Sequence, residues 1–163
     1  MTSKGTALSE ERERQKADYL RRCYEAVDGL WFVKVEEDLG FERALDLDER
    51  VWKIVPKIQA RKAKELTGAG DGLPGLAQAL ALSFEAEGFQ VSLTTGPGRL
   101  LVSVRACPWV ELLRKSQRMH LAEPIARVIC SATWSTWARE FGVTFFLDEL
   151  ACSRDGCRLR FTE

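Results

Sequence analysis

The sequence predicts an α+β fold: a small antiparallel sheet built from two β-hairpins, packed with helices and preceded by an N-terminal helical segment. Two alternating stretches and one glycine cluster predict it. Phe89, Val91 and Leu93 alternate with polar residues, Gly96-Pro97-Gly98 turns the chain, and Leu100, Val102 and Val104 alternate on the return. Val143 to Cys152 and Cys157 to Phe161 repeat the pattern around Ser153-Arg154-Asp155-Gly156. Four glycines within Gly68 to Gly75 separate a helical segment, residues 1–69, from an α+β unit, residues 70–163, the two forming one compact body.

The elements follow in order. Ser9 before Glu10 and Glu11 reads as a helix N-cap with acids in the first turn. Leu20, Cys23, Tyr24, Val27, Leu30 and Trp31 then recur on one helical face, and Asp28-Gly29 is expected to interrupt or bend it. Leu30 to Leu39 reads as a further helix stopped at Gly40. Asp46 or Asp48 is the expected cap of a longer helix through Val51, Val55, Ile58 and Leu66, with a kink or restart at Pro56. Lys53, Lys57, Arg61 and Lys64 form its solvated face.

Gly70, Gly72 and Gly75 match GxGxxG, but no strand precedes them and no Lys-Ser follows, so the segment reads as a hinge or linker between helices. The stripe Leu76, Leu80, Phe84 marks a helix from Leu73 to Glu87, stopped at Gly88. After the first hairpin come a short helix from Trp109 to about Met119 and a longer one from Pro124 to Phe141, stopped at Gly142. On the longer helix Cys130, Trp134, Trp137 and Phe141 share one side and Ile125, Ile129, Ala132 and Thr136 another. Both sides are apolar, so the helix should be sandwiched.

Composition bounds the function. The chain has 163 residues, within the roughly 100–200 of one domain. It is 45% hydrophobic and 29% charged, with a mean hydropathy of -0.20, which suits a packed globular domain. The 24 Lys+Arg balance the 24 Asp+Glu, so no nucleic-acid partner and no anionic membrane surface is expected. No stretch reaches about 18 apolar residues, and Met1 to Gln15 is polar, so the expected location is the cytoplasm. Five cysteines, an odd number, fit free thiols, metal thiolates or a reactive cysteine better than a disulfide framework. With His120 as the only histidine, a histidine-rich metal site or a histidine-based triad has almost nothing to work with, and His120 reads as a loop residue that joins the chemistry only if it meets the cysteines.

A four-residue loop at Ser153 to Gly156 would set Cys152 opposite Cys157, Leu150 opposite Leu159 and Asp148 opposite Phe161, with Phe146 on the same inner face and Arg158 and Arg160 outside. Cys107, at the exit of a strand, and Cys130 join the pair at one end of the sheet. Cys107, Cys130, Cys152 and Cys157 thus form a candidate metal set for zinc or an iron-sulfur cluster, with burial of four small thiols in the core as the alternative. Trp109, Trp134 and Trp137 either wall a ligand cavity beside them or belong to the core. Asp148 on an inner face needs a partner, Arg105 or a ligand, unless strand twist leaves it wet. Asp148, Glu149 and Cys152 are the candidate catalytic groups, an acid pair beside a thiol. Cys23 stands apart on the first helix.

The run Glu149-Leu-Ala-Cys152-Ser-Arg-Asp-Gly156-Cys157-Arg-Leu-Arg-Phe161, with Cys130 before it, resembles the end of the four-vinyl reductase-type ligand-binding domains. It is also similar to the L-2-amino-thiazoline-4-carboxylic acid hydrolase family. Asp28-Gly-Leu-Trp-Phe32, Gly40-Phe41-Glu42 and Val51-Trp52 resemble an uncharacterised prokaryotic family associated with those hydrolases, as does Cys107-Pro108-Trp109. The first resemblance covers residues 72–163 and leaves out the helical first 70. It implies an α+β domain related to the small subunits of trafficking complexes, with a cysteine-lined ligand or metal site. The leading expectation is therefore a small cytosolic protein that binds a small molecule or a metal. A hydrolase opening a sulfur-containing ring is the alternative. A non-catalytic homodimer joined through Trp31, Phe32 and Trp52 is the second alternative, although folding back onto the sheet would bury them equally well.

Overall fold

The structure is a computed structural model, which describes the backbone of residues 3–151 and 156–163 and the side chains of residues 8–150 and 156–163. Cys152 and the turn from Ser153 to Asp155 lie outside the described residues. Helices α1 (Ser3–Leu39), α2 (Phe41–Trp52), α3 (Val55–Thr67) and α4 (Gly72–Glu87) precede strands β1 (Gln90–Gly96) and β2 (Arg99–Ala106). Helix α5 (Pro108–Lys115), a 3-10 turn at Met119–Leu121 and helix α6 (Ala122–Glu140) lead to β3 (Thr144–Ala151) and β4 (Gly156–Thr162). The α+β class, the two hairpins and the N-terminal helices are as the sequence predicts.

The four strands form one antiparallel sheet in the order β1-β2-β4-β3, so the two hairpins join through β2 and β4. Leu100, Val102 and Val104 of β2 and Leu159 and Phe161 of β4 point to the helices and are buried. Helix α6 packs against β3 on one side and against α2 and α3 on the other, which is the sandwich its two apolar sides demand. Trp137, Phe84, Phe141 and Phe161 are the largest fully buried side chains and lie in this layer. Each such ring removes about 1.5–3 kcal/mol worth of apolar surface from water, which makes this layer the main source of stability.

Five expectations about the helices change, while the restart expected at Pro56 holds. The first helix begins before Ser9, so that residue is inside it and caps nothing. It continues through Asp28-Gly29, because glycine in one helical turn costs only about 1 kcal/mol and packing of the neighbouring turns exceeds that. The stripe Leu20, Val27 and Leu30 faces solvent, while Tyr24, Asp28 and Phe32 turn inward. Gly40 precedes α2, so neither Asp46 nor Asp48 is a cap; Asp48 is buried within the helix, and Pro56 starts α3 in its first turn. The short helix ends at Lys115, ahead of Gln117, which has a φ of 60°.

The basic face of α3 is solvated and paired, Arg61 with Glu140 at 2.7 Å and Lys64 with Asp71. Of the GxGxxG glycines only Gly70 lies in the connection between α3 and α4; Gly72 and Gly75 belong to the first turn of α4, so the expected linker is shorter. Gly75 lies against the backbone of Gly70, where a Cβ would come within 1.8 Å of the Gly70 carbonyl oxygen. Close packing of helix on loop, rather than a phosphate, accounts for that glycine.

In the second hairpin Leu150 faces Cys157, Leu147 faces Leu159 and Phe145 faces Phe161, so the predicted pairing of Cys157 with Cys152 is replaced. A register shift between Leu147 and Glu149 places Asp148 in a bulge. One extra residue reverses the alternation. Phe146 and Asp148 therefore lie on the outer face, where Phe146 is 41% exposed beneath the Arg160 guanidinium. Phe32 and Trp52 are buried within the chain and present no dimer face, leaving Trp31 exposed. No helix among the described residues is long and apolar enough to cross a membrane.

Candidate functional site

Between α1, α2, α5, α6 and the end of the sheet lies a cavity of about 390 Å³. Its size suits a ligand of small-molecule dimensions. Cys107 enters it from the end of β2, Cys157 from β4 beside Val104, and Cys130 from α6. Trp109, Trp134 and Trp137 line the same space, so the structure brings three of the four predicted cysteines and all three predicted tryptophans to one wall. Cys152 lies outside the described residues. Cys23 is exposed on α1, away from this wall.

Burial favours the neutral form of two of the thiols, Cys107 and Cys130. Burial pushes Cys107 up to about 11, against the pull of the Val110 and Trp109 backbone N–H groups, and raises Cys130 further, with the charges of Cys107 and Cys157 adding to the effect. Such thiols behave as small apolar wall groups. Among the described residues no group of three or more His, Cys, Asp or Glu side chains is placed to hold a metal ion.

Asp148 and Glu149 do not reach the cavity. Asp148 accepts hydrogen bonds from Arg160 Nε at 2.8 Å and Nη2 at 2.8 Å, which hold its carboxyl below the ordinary range. Glu149 pairs with Arg158 at 3.3 Å. Both are on the outer face of the hairpin, the consequence of the bulge. His120 is exposed in the 3-10 turn.

The same cavity carries acids that the sequence does not single out. Asp28 of α1, Asp48 of α2 and Glu87 of α4 line it together with Trp52 and Gln59. Asp48 is only 5% exposed. Burial pushes Asp28 up to about 6; burial and then the charge of Asp28 push Asp48 to about 7. The indole N–H of Trp52 faces both carboxyls and opposes the shifts. Glu87 is raised by burial too, although it accepts hydrogen bonds from Ser83 Oγ at 2.9 Å and Gln59 Nε2 at 3.5 Å.

Three aromatic rings lie near these acids. Trp109 meets Tyr24 edge-on at 5.6 Å between centroids and Trp52 edge-on at 5.8 Å. The Tyr24 hydroxyl is buried beside the Gln59 amide, and burial, with the charges of Glu87 and Asp28, raises it. A signal for the acids exists in the sequence: Tyr24-Asp28-Phe32 and Ala44-Asp48-Trp52 are i, i+4, i+8 stripes with a carboxylate in the middle of an inward face.

Fold and site together define an α+β protein with a ligand-sized cavity whose wall is mostly apolar and carries thiols and acids. The chain belongs to a family of unknown function (DUF6125), which matches residues 8–162. That match runs from α1 to β4, so the family comprises the helical segment and the sheet as one unit. No curated protein and no solved structure matches the chain.

Proposed function

We propose that this protein is a cytoplasmic small-molecule-binding protein that takes one apolar ligand in the cavity between α1, α5, α6 and the sheet. The cavity itself is the observation that carries the reading: its volume of about 390 Å³ falls within the roughly 300–1,000 Å³ of small-molecule sites, and aromatic and aliphatic side chains make up most of its wall. A ligand filling it takes that apolar wall out of water. The unbridged thiols of Cys23, Cys107 and Cys130 fit a reducing compartment.

The hydrolase reading has less support. A thiazoline carboxylate is an anion, and the cavity wall carries Glu25, Asp28, Asp48 and Glu87 against one arginine, Arg118, which is already paired with Glu36. Asp148 and Glu149, the acids that reading requires, are on the opposite face of the second hairpin.

Thermal unfolding with and without n-decanol, a neutral apolar probe, tests the proposal. Occupancy at a hundredfold excess over Kd stabilises by about 2.7 kcal/mol, which reads as a clear rise in Tm. An unchanged Tm across neutral apolar probes up to their solubility overturns it. Stoichiometric zinc or iron in protein purified without chelators would replace it with the metal-site reading.

A further inference from the structure

Resting on the ligand-binding reading above, we infer that the ligand is an amphipathic amine: an apolar body against Cys130, Trp134 and Trp137, and a protonated amino group held by Asp28 and Asp48 beside Trp52 and Trp109. The cavity, of about 390 Å³, suits a ligand of small-molecule size.

Two features point to a cation. First, Asp28 and Asp48 line the cavity with four carboxylate oxygens and face a single donor, the Trp52 indole N–H. Among the described residues neither makes an ion pair, although buried carboxylates are ordinarily matched by a cation or several donors. Asp48 is only 5% exposed. Second, Trp52 and Trp109 line the cavity with these acids, and aromatic faces attract ammonium groups.

The alternatives fail on the same observations. An anionic head would meet Asp28, Asp48 and Glu87 without a free arginine or lysine on the wall. A metal ion requires a set of three ligands that the described residues do not supply. A neutral head would leave the paired aspartates as uncompensated as they are in the empty cavity. An alkylammonium supplies three N–H donors to oxygens that lack them and a positive charge between two negative ones.

Isothermal titration at pH 8 with n-decylamine, n-decanol and n-decanoate, each below its micelle concentration, tests the assignment. The three share one chain length and differ in head-group charge. The expected order is amine tighter than alcohol by at least tenfold, with decanoate weakest. In Asp48→Asn and in Asp28→Asn the amine should fall to the affinity of the alcohol, whose own binding stays within about twofold. If the alcohol binds as tightly as the amine, or if Asp48→Asn retains the amine preference, the amine assignment is wrong while the cavity still binds apolar ligands. If none of the three binds, the ligand-binding reading itself is wrong.

Discussion

Asp28 and Asp48, on two different helices, converge on the single indole N–H of Trp52 in the wall of the cavity. Helix α1 delivers the first through the stripe Tyr24-Asp28-Phe32, and α2 delivers the second and its indole partner through Asp48-Trp52. Two buried carboxyls with one shared donor oppose folding whenever both are ionised, so a binding role for the pair predicts a measurable instability of the empty protein.

The pH dependence of stability carries that signature. Asp48 is raised from its ordinary 3.8 to about 7, and it faces Asp28 from α1, with Glu87 of α4 and Tyr24 nearby and no lysine or arginine paired with it. Between those two values the native state binds more protons than the unfolded chain, so stability falls as pH rises from about 4 to about 7 and stays low above that. Asp48→Asn removes the penalty. It should stabilise the unliganded protein by about 1–3 kcal/mol at pH 8, less than the roughly 4 kcal/mol of an isolated shift of this size because Asp28 titrates with it. At pH 4 the variant and the parent should unfold at the same urea midpoint, and a constant difference at both pH values would contradict the account.

Thiol chemistry should separate the cysteines. Cys23 is exposed on α1, whereas burial raises Cys107 and Cys130 and leaves little thiolate for attack on iodoacetamide. Time-resolved alkylation at pH 8, read by peptide mass spectrometry, should label Cys23 at least tenfold faster than Cys130. Adding n-decanol should slow Cys107 and Cys130 further and leave Cys23 unchanged. Equal labelling rates would place the thiols outside the cavity wall.

Two glycines test the backbone argument in opposite directions. Gly29 sits inside α1 with open space where a Cβ would go, so Gly29→Ala should stabilise by about 0.5–1 kcal/mol. Gly156 begins β4 with a φ of 81° and lies so close to β2 that a Cβ would come within 1.5 Å of the Val104 carbonyl oxygen. Gly156→Ala should therefore cost more than about 3 kcal/mol or prevent folding. Urea unfolding of the two variants checks both signs.

Much of the fold is legible in the sequence because its signals are local. Alternation around Gly96-Pro97-Gly98 locates the first hairpin, and Gly40, Gly88 and Gly142 stop helices where they should. What depends on packing is less legible. The bulge at Asp148 has no local marker, yet it turns that carboxylate from the inner face to Arg160 and removes it from any site. On α1 hydrophobic spacing mixes two faces: Leu20 and Val27 are exposed, while Glu25, Asp28 and Phe32 line the cavity. A helix that turns carboxylates into a cavity marks a binding site rather than a core. The clustering of Cys107, Cys130 and Cys157 was legible from strand order, and the acids of the same cavity were not.

Four of the five tryptophans, Trp52, Trp109, Trp134 and Trp137, line the cavity, and Trp31 is the fifth. Replacing Trp31 with phenylalanine makes tryptophan emission a report on the cavity alone. Titration of Trp31→Phe with n-decanol should give a saturable spectral shift with one ligand per chain. The same titration with Ala126→Phe added, which places a ring in the cavity, should give none while the protein remains folded. A non-saturable response, or the same curve in the filled variant, would contradict the claim that this cavity is the binding site.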